Sequence, residues 1–160
     1  MTMTNLDAEC AVRGHKLVTS QLEQEQKPKE IENSITKALG VLEEQGVYAL
    51  FLYLHAREGR KFSKDLMKFL RSNSLELSLP GNSTDEPFAA LQGLAKDLDK
   101  LLFARDILHQ VLVYARYHAK AAGAASDSDS KQESENPKHT QPANDKKTPQ
   151  QSTETKAATP

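Results

Sequence analysis

Residues 122–160 contain none of the large apolar side chains, since Leu, Ile, Val, Met, Phe, Tyr and Trp are all absent from this segment. A segment of this composition buries too little apolar surface to offset the conformational entropy that ordering would cost. We therefore predict a disordered polar tail over residues 122–160. The fold must come from residues 1–121, which provide enough chain for one helical domain.

The overall composition limits the class of that domain. Lys and Arg together number 21 and Asp and Glu number 22, so the formal net charge is −1. This balance argues against a uniformly basic nucleic-acid-binding protein but leaves room for a local basic face. The chain has one cysteine, no tryptophan, seven glycines and seven prolines. These counts argue against a disulfide framework, a zinc site built on paired thiols and an all-β fold.

The apolar segments are too short for a membrane span. The longest runs from Val47 to Leu54, whereas a spanning helix needs about 20 apolar residues. The first ten residues, MTMTNLDAEC, lack the basic start and the apolar stretch of a signal peptide. We therefore expect a soluble cytoplasmic protein that binds no membrane.

Apolar residues at helical spacing predict two helices in the first part of the domain. The first covers residues 6–26 and follows Asn5, a good N-cap residue. The second begins at Pro28, which suits the first turn of a helix because its missing N–H has no partner there. It ends at Gly46, which suits a left-handed C-cap.

Two further segments follow. Residues 46–59 carry a run that is apolar on every side, for which we prefer a short buried helix over the alternative of a central strand. Residues 61–71 place apolar side chains on one helical face and cations on the other, which predicts an amphipathic helix. Residues 72–86 are typical of a loop, and three leucines at every second position indicate a short extended piece within it.

The apolar pattern changes phase in the last part of the domain. One stripe runs from Leu91 to Leu102, and a second, rotated by roughly 130° at 3.6 residues per turn, runs from Ile107 to His118. A straight amphipathic helix keeps one stripe, so we predict a break or sharp kink near Leu102–Ala104. The expected fold is all-α, a compact bundle of about six short helices with a disordered C-terminal tail.

No arrangement of residues in the sequence indicates catalysis. The five histidines are isolated from one another, and Cys10 has no companion thiol, so the usual metal-ligand spacings are missing. Phosphate-binding glycine patterns and the nucleophile elbow of hydrolases are also missing. We expect that the protein is not an enzyme and has no catalytic residues, metal, cofactor or small-molecule substrate.

One predicted surface is basic. Four cations on the helix at 61–71 are spaced three or four residues apart, so consecutive ones lie about 4.5–6 Å apart along the axis. Such a row can follow the phosphates of a nucleic-acid strand, although an ordinary solvated helix face explains it as well. With two cations that precede the helix, the basic residues of this surface are Arg57, Arg60, Lys61, Lys64, Lys68 and Arg71.

Three stretches of the chain carry a family resemblance. They are GVYALFLYLHAREG at 46–59, KFSKDLMKFLRSN at 61–73 and FAALQGLAKDLDKLLFARDILHQVLVYARYHAKA at 88–121. In this order they resemble the small subunit of type III-B CRISPR effector complexes, the Cmr small subunit. Members of that family are small α-helical proteins without nuclease activity. They stack in several copies and help to hold the target RNA paired to the guide RNA.

The resemblance implies further site residues and a set of partners. Arg105 and Arg116 match basic positions of the closing helices of the family, so they join the expected RNA-binding residues. The implied partners are other subunits of a CRISPR ribonucleoprotein complex, guide RNA, target RNA and further copies of this chain in a filament. The implied role is antiviral defence in a prokaryotic cytoplasm. The alternative is a free-standing helical adaptor that binds a protein partner through an apolar face.

Overall fold

The computed structural model describes residues 5–58, 60–81 and 86–132 of the chain. Six α-helices, one π-helical turn and one 3-10 turn account for the regular structure in these ranges, and no strand occurs in them. The prediction of an all-α bundle of about six helices is therefore confirmed. The helices are α1 (Leu6–Leu22), α2 (Pro28–Gln45), α3 (Val47–Tyr53), α4 (Arg60–Leu70), α5 (Phe88–Leu94) and α6 (Leu98–Gln132). None of them is both long enough and apolar enough to cross a membrane, as far as the described ranges extend.

Helix α6 lies at the centre of the bundle, with α1 packed against it in the same direction. Near the start of the pair, Cys10 Sγ lies 3.9 Å from the carbonyl oxygen of Ile107. One turn later, Gly14 lies against the backbone of Ala115. Residue numbers thus increase together along the two helices, so both C-terminal ends lie at the same end of the fold.

Helix α2 packs against α6 in the opposite direction. The carboxylate of Glu43, near the end of α2, lies 2.9 Å from Nε2 of His109. Pro28, at the start of α2, lies beside Gly123, far along α6. The two longest helices therefore form an antiparallel pair, although residues 46–97 separate them in the chain.

Three predicted helix ends are confirmed, whereas α1 ends at Leu22 and not at residue 26, because the chain turns at residues 23–25. The Oδ1 atom of Asn5 accepts a hydrogen bond from the N–H of Ala8 at 3.2 Å, which caps α1. Pro28 is the first residue of α2. Gly46 ends α2 with a φ of 90°, and its N–H donates to the carbonyl of Leu42 at 3.1 Å. A positive φ is cheap only for glycine, so this residue permits α3 to begin at once in a new direction.

The apolar run after Gly46 forms a helix, as preferred, and not a strand. It is not buried on every side, because Tyr48 and Leu52 are exposed whereas Leu50 and Phe51 are fully buried. The helix continues into a π-helical turn at Leu54–Glu58. This turn connects α3 to α4 and carries Arg57 on its outer side.

The predicted kink near Leu102–Ala104 is wrong. Helix α6 is continuous through this position, and the chain instead turns at residues 95–97, between α5 and α6. The reason is that Leu98 and Leu102 are 65% and 48% exposed, so they do not belong to the core stripe. Ala104 is fully buried and begins that stripe. Reading every leucine as core-facing produced an apparent change of phase.

The loop after α4 differs in its local structure from the extended piece that was predicted. Asn73–Leu75 is a 3-10 turn, and Glu76 and Ser78 both have a φ of 49°. These positive φ values turn the chain at every second residue and leave Leu75 and Leu77 buried. The alternation of apolar and polar residues in this loop therefore indicates which side chains are buried and does not indicate a strand.

Helix α6 runs past the composition boundary at residue 121 and ends at Gln132. Four alanines in residues 121–125 have high helix propensity, and adding residues to an existing helix is easier than starting one. The predicted tail therefore begins with helical backbone, as far as residue 132. Residues 133–160 lie outside the described residues.

Candidate nucleic-acid interface

The predicted basic helix is α4, and its polarity follows from the spacing of its apolar residues. Phe62, Leu66 and Phe69 are buried to 3% exposure or less, so the opposite side of the helix must face outward. Lys61 and Lys68 are exposed on that side, and Lys64 is partly buried beside them. The amphipathic helix predicted for this segment is thus confirmed.

Helix α1 lies alongside α4 and runs antiparallel to it. The guanidinium carbon of Arg13 lies 5.3 Å from the centre of the Phe69 ring. Farther toward the start of α1, Glu9 accepts a hydrogen bond from the Ser74 hydroxyl at 3.0 Å. As residue numbers increase along α1, the residues that it contacts around α4 decrease in number, so the two segments run in opposite directions. This arrangement brings Arg13 and Lys16 to the side of α4 that carries lysines.

The two helices enclose a groove of about 260 Å³. Four cations line it, two from each helix, together with one carboxylate, that of Asp65, so the local net charge is +3 at neutral pH. We call this site the α1/α4 groove. Its lining residues are Arg13, Lys16, Leu17, Ser20, Lys61, Asp65, Leu66, Lys68 and Phe69. Leu17, Leu66 and Phe69 form an apolar floor, because each is 4% exposed or less.

The four cations of the groove are available for a ligand. Within the described residues, none of them forms an ion pair, whereas Lys29 and Lys100 elsewhere pair with acids three residues away on the same chain. Lys16, Lys61 and Lys68 are exposed, and Arg13 is partly exposed above the Phe69 ring. Like charges that converge on one concave surface raise the potential there and attract an anion.

Arg71, the last cation of the predicted row, contacts the loop that follows α4. Its guanidinium donates hydrogen bonds to the backbone carbonyls of Leu79, at 3.4 Å, and Pro80, at 3.1 Å, and also to that of Gly81. The side chain therefore holds the loop after α4 in place. Its planar set of donors binds backbone oxygens of the fold, and the RNA-binding role of Arg71 stays a prediction.

The other predicted site residues lie outside the groove. Arg57 and Arg60 are exposed at the junction between the π-helical turn and α4. Arg105, on α6, donates to the carbonyl oxygen of Glu43 at 3.4 Å. Arg116, also on α6, lies with its guanidinium carbon 5.5 Å from the ring centre of Tyr117. The structure brings together Lys61 and Lys68 from the predicted set, while Arg105 and Arg116 lie on a separate helix.

Sequence reasoning missed Arg13 and Lys16. Their spacing of three residues places both on one side of α1, beside Leu17, which is buried. That pattern is short and common, and nothing in it indicates which other helix will lie opposite. Their role depends on the antiparallel contact with α4.

The histidines and the cysteine of the described ranges make contacts within the fold. No group of three or more His, Cys, Asp or Glu side chains in that part of the chain is placed to hold a metal ion. The ring of His15 contacts that of His118, with centres 5.0 Å apart, and His109 pairs with Glu43. Cys10 is buried, and burial, with Asp7 and Glu9 nearby, raises the pKa of its thiol to about 11. Such a thiol is a poor nucleophile at neutral pH.

Comparison with known proteins gives no relative. No protein-family model, no curated protein and no solved structure matches the chain.

Proposed function

We propose that this protein is a non-catalytic, RNA-holding subunit of a type III CRISPR effector complex. The observation that carries the proposal is the α1/α4 groove, in which four cations converge on one concave surface with a net charge of +3. The resemblance of residues 46–59, 61–73 and 88–121 to the Cmr small subunit supports the same assignment. In this role the chain holds RNA, and the chemistry of target cleavage belongs to other subunits.

The groove can bind RNA through its phosphates. Lys and Arg side chains bind nucleic acids mainly by displacing the counterions condensed around the phosphates. The lysines here extend from helices that the buried core fixes in place, so their backbone needs no reordering when RNA binds. Contacts to phosphates orient and hold a strand but carry no sequence information. In such a complex the guide RNA selects the target, so this subunit needs only contacts that do not depend on the RNA sequence.

One copy of the chain is a weak RNA binder under this proposal. The formal net charge is −1, so long-range attraction to a polyanion is absent and only the groove contributes. Several copies along one RNA would add their contacts and raise the affinity through a high effective concentration. The partners are therefore further copies of this chain, other subunits of the complex, guide RNA and target RNA, in a prokaryotic cytoplasm.

Purification of the tagged full chain from its native host tests this function. We expect it to be recovered with several CRISPR proteins and with short RNAs that share a constant 5′ segment. A Lys61→Glu/Lys68→Glu variant should enter the complex but lower the amount of target RNA retained. A Lys37→Glu variant, which changes an exposed lysine of α2 outside the groove, is the control for a charge reversal elsewhere and should retain as much as the wild type.

The result that would overturn the proposal is recovery of the chain alone, or with one unrelated protein and no RNA. That result would favour the alternative, a helical adaptor. The exposed leucines of α6, Leu98 and Leu102, are the observation that supports this second function, because an adaptor needs an apolar contact surface. Salt separates the two functions, since apolar association depends weakly on ionic strength whereas phosphate contacts weaken steeply.

A further inference from the structure

We infer that the α1/α4 groove holds one single strand of RNA by its phosphates and reads none of its bases. The inference rests on the proposed function, because it takes RNA as the ligand. It adds the form of the RNA, the mode of contact and the requirement for the α1 side of the groove. Three features carry it, namely the width of the groove, the position of its cations and the state of its only aromatic ring.

The groove is too narrow for a double helix. Packed helices have axes about 8–10 Å apart, and the groove between α1 and α4 has a volume of about 260 Å³. A phosphate with part of its sugar fits such a space. A duplex is wider than the spacing of the two helices and can only rest on their rims.

The cations are placed to contact one strand from both sides. Lys61 and Lys68 are seven residues apart on α4, or about 10.5 Å along the axis, and Arg13 and Lys16 are separated by about 4.5 Å on α1. Because the helices are antiparallel, the two pairs face each other across the groove. A strand lying between them meets a cation on each side. A duplex resting on α4 would contact lysines on one side only.

The groove has no surface on which a base can stack. Its only ring, that of Phe69, is 1% exposed and has the guanidinium of Arg13 over it, 5.3 Å from its centre. Proteins that stack single-stranded bases use aromatic faces that are open to the ligand. Leu17 and Leu66 on the floor are equally inaccessible. The groups left for RNA are charged side chains, which suit phosphates and not base recognition.

A substitution at Asp65 tests whether the charge of the groove determines its affinity for RNA. Its carboxylate lines the same groove as the four cations and repels phosphate. Removing that charge with Asp65→Asn should therefore strengthen RNA binding severalfold. Lys16→Glu should weaken RNA binding about tenfold in low salt. It should also change the slope of log affinity against log salt concentration from about −3, the value for four contacts, to about −2. A structural role alone predicts no gain for Asp65→Asn.

The experiment is an NMR titration of the ¹⁵N-labelled full chain with octauridylate at about 20 mM salt. This method detects dissociation constants in the millimolar range, so weak binding by one copy is measurable. Octaadenylate and a GC-rich RNA hairpin, whose stem supplies the duplex, serve as comparison ligands. We expect amide shifts in residues 13–20 and 61–69, equal affinity for both single strands within about threefold, and weaker binding of the duplex. Lys37→Glu is again the control.

The outcomes separate the inference from the proposed function. If Lys16→Glu binds octauridylate as the wild type does while Lys61→Glu/Lys68→Glu does not, α4 alone binds RNA and the groove inference is wrong, although the proposed function stands. Stronger binding of the duplex, or a large preference for one base, also overturns the inference. So does the absence of any shift at millimolar octauridylate. The proposed function is judged independently, by the RNA and proteins that are purified with the tagged chain.

Discussion

At the scale of single residues, the fold depends on close packing against α6 and on side-chain hydrogen bonds to backbone carbonyls. Gly14 allows α1 to approach α6 so closely that a Cβ at this position would lie 2.7 Å from the nitrogen of Ala115 and 2.9 Å from the carbonyl oxygen of Val111. Arg71 holds the loop carbonyls near Pro80. Neither role has a sequence signature, because glycine in a helix and arginine at a helix end are both common.

Gly14→Ala should destabilise the protein by about 1–3 kcal/mol, because the new methyl group overlaps backbone atoms that cannot move freely. This cost opposes the gain in helix propensity that alanine otherwise brings. Gly40→Ala is the matched control, since a Cβ on this residue of α2 meets nothing within 4 Å. It should stabilise by about 0.5–1 kcal/mol. Urea denaturation of both variants measures the difference. Equal stabilisation by both would contradict the close approach of α1 to α6.

Cys10 should be unreactive in the native protein. Burial raises the pKa of its thiol from 9.0 to about 11, so at pH 8 the thiolate fraction is about a hundredfold lower than in the unfolded chain. We expect maleimide labelling to be slow in buffer and fast in denaturant. Rapid labelling of the native protein would show that the thiol is accessible.

The same shift predicts a pH dependence of stability. The native thiol keeps its proton up to about pH 11, whereas the unfolded thiol loses its proton near pH 9. The neutral thiol therefore contributes stability that is fully present below pH 9 and is lost as the pH rises toward 11. Comparing urea midpoints of the wild type and Cys10→Ala across this interval isolates the contribution. A wild-type midpoint that falls no more than that of Cys10→Ala would contradict it.

At the scale of helices, the start of α6 decides how the last part of the domain folds. Asp97 accepts a hydrogen bond from the N–H of Lys100 at 3.2 Å, which is the pattern of an N-cap. The chain therefore turns before Leu98 and continues as one helix through Ala104. An N-cap aspartate was a better guide to the helix boundary than the change in phase of the leucines.

Two proline substitutions test this boundary. Leu98 and Leu102 are both exposed leucines, and they differ in position, at the first residue of α6 and within its second turn. Leu98→Pro should change the free energy of unfolding by less than about 1 kcal/mol, because proline is favoured at that position. Leu102→Pro should cost about 3 kcal/mol or more, since it removes a helical hydrogen bond. Thermal unfolding monitored by circular dichroism compares them. A harmless Leu102→Pro would indicate a break where α6 is continuous.

At the scale of the whole molecule, the core comes from the first three-quarters of the chain. The buried apolar residues in the described ranges run from Cys10 to Ala119. Acidic and basic residues nearly balance, so the groove is a local feature of an otherwise neutral molecule. The overall charge therefore gives no indication of the site, which depends on which helices are neighbours.

Truncation should separate the folded part from the rest. A variant that ends at Gln132 removes none of these buried residues and should unfold at the same free energy within about 0.5 kcal/mol. A variant that ends at Tyr117 loses buried Ala119 and the contact of Gly123 with Pro28, so it should be clearly less stable. Urea denaturation checks both. A loss of stability in the longer variant would mean that residues 133–160 contribute to the fold.

The sequence by itself determined the helical class, the start of α1, both ends of α2 and the polarity of α4. These features depend on side-chain spacing and capping within a few residues, so local patterns are enough to predict them. Lys61 and Lys68 were found in the same way. The leucines of α6 were misassigned because an apolar side chain is not always buried, and no local pattern separates Leu98 from Leu108.

Only the tertiary structure decided which cations share a site. Arg13 and Lys61 are far apart in the sequence and lie on the same groove because α1 and α4 are antiparallel neighbours. Helix pairing depends on the fit of complete faces across the core, which no single segment encodes. The contacts of Arg71 and Arg105 are also decided by the tertiary structure, since the carbonyls that they bind belong to other parts of the fold.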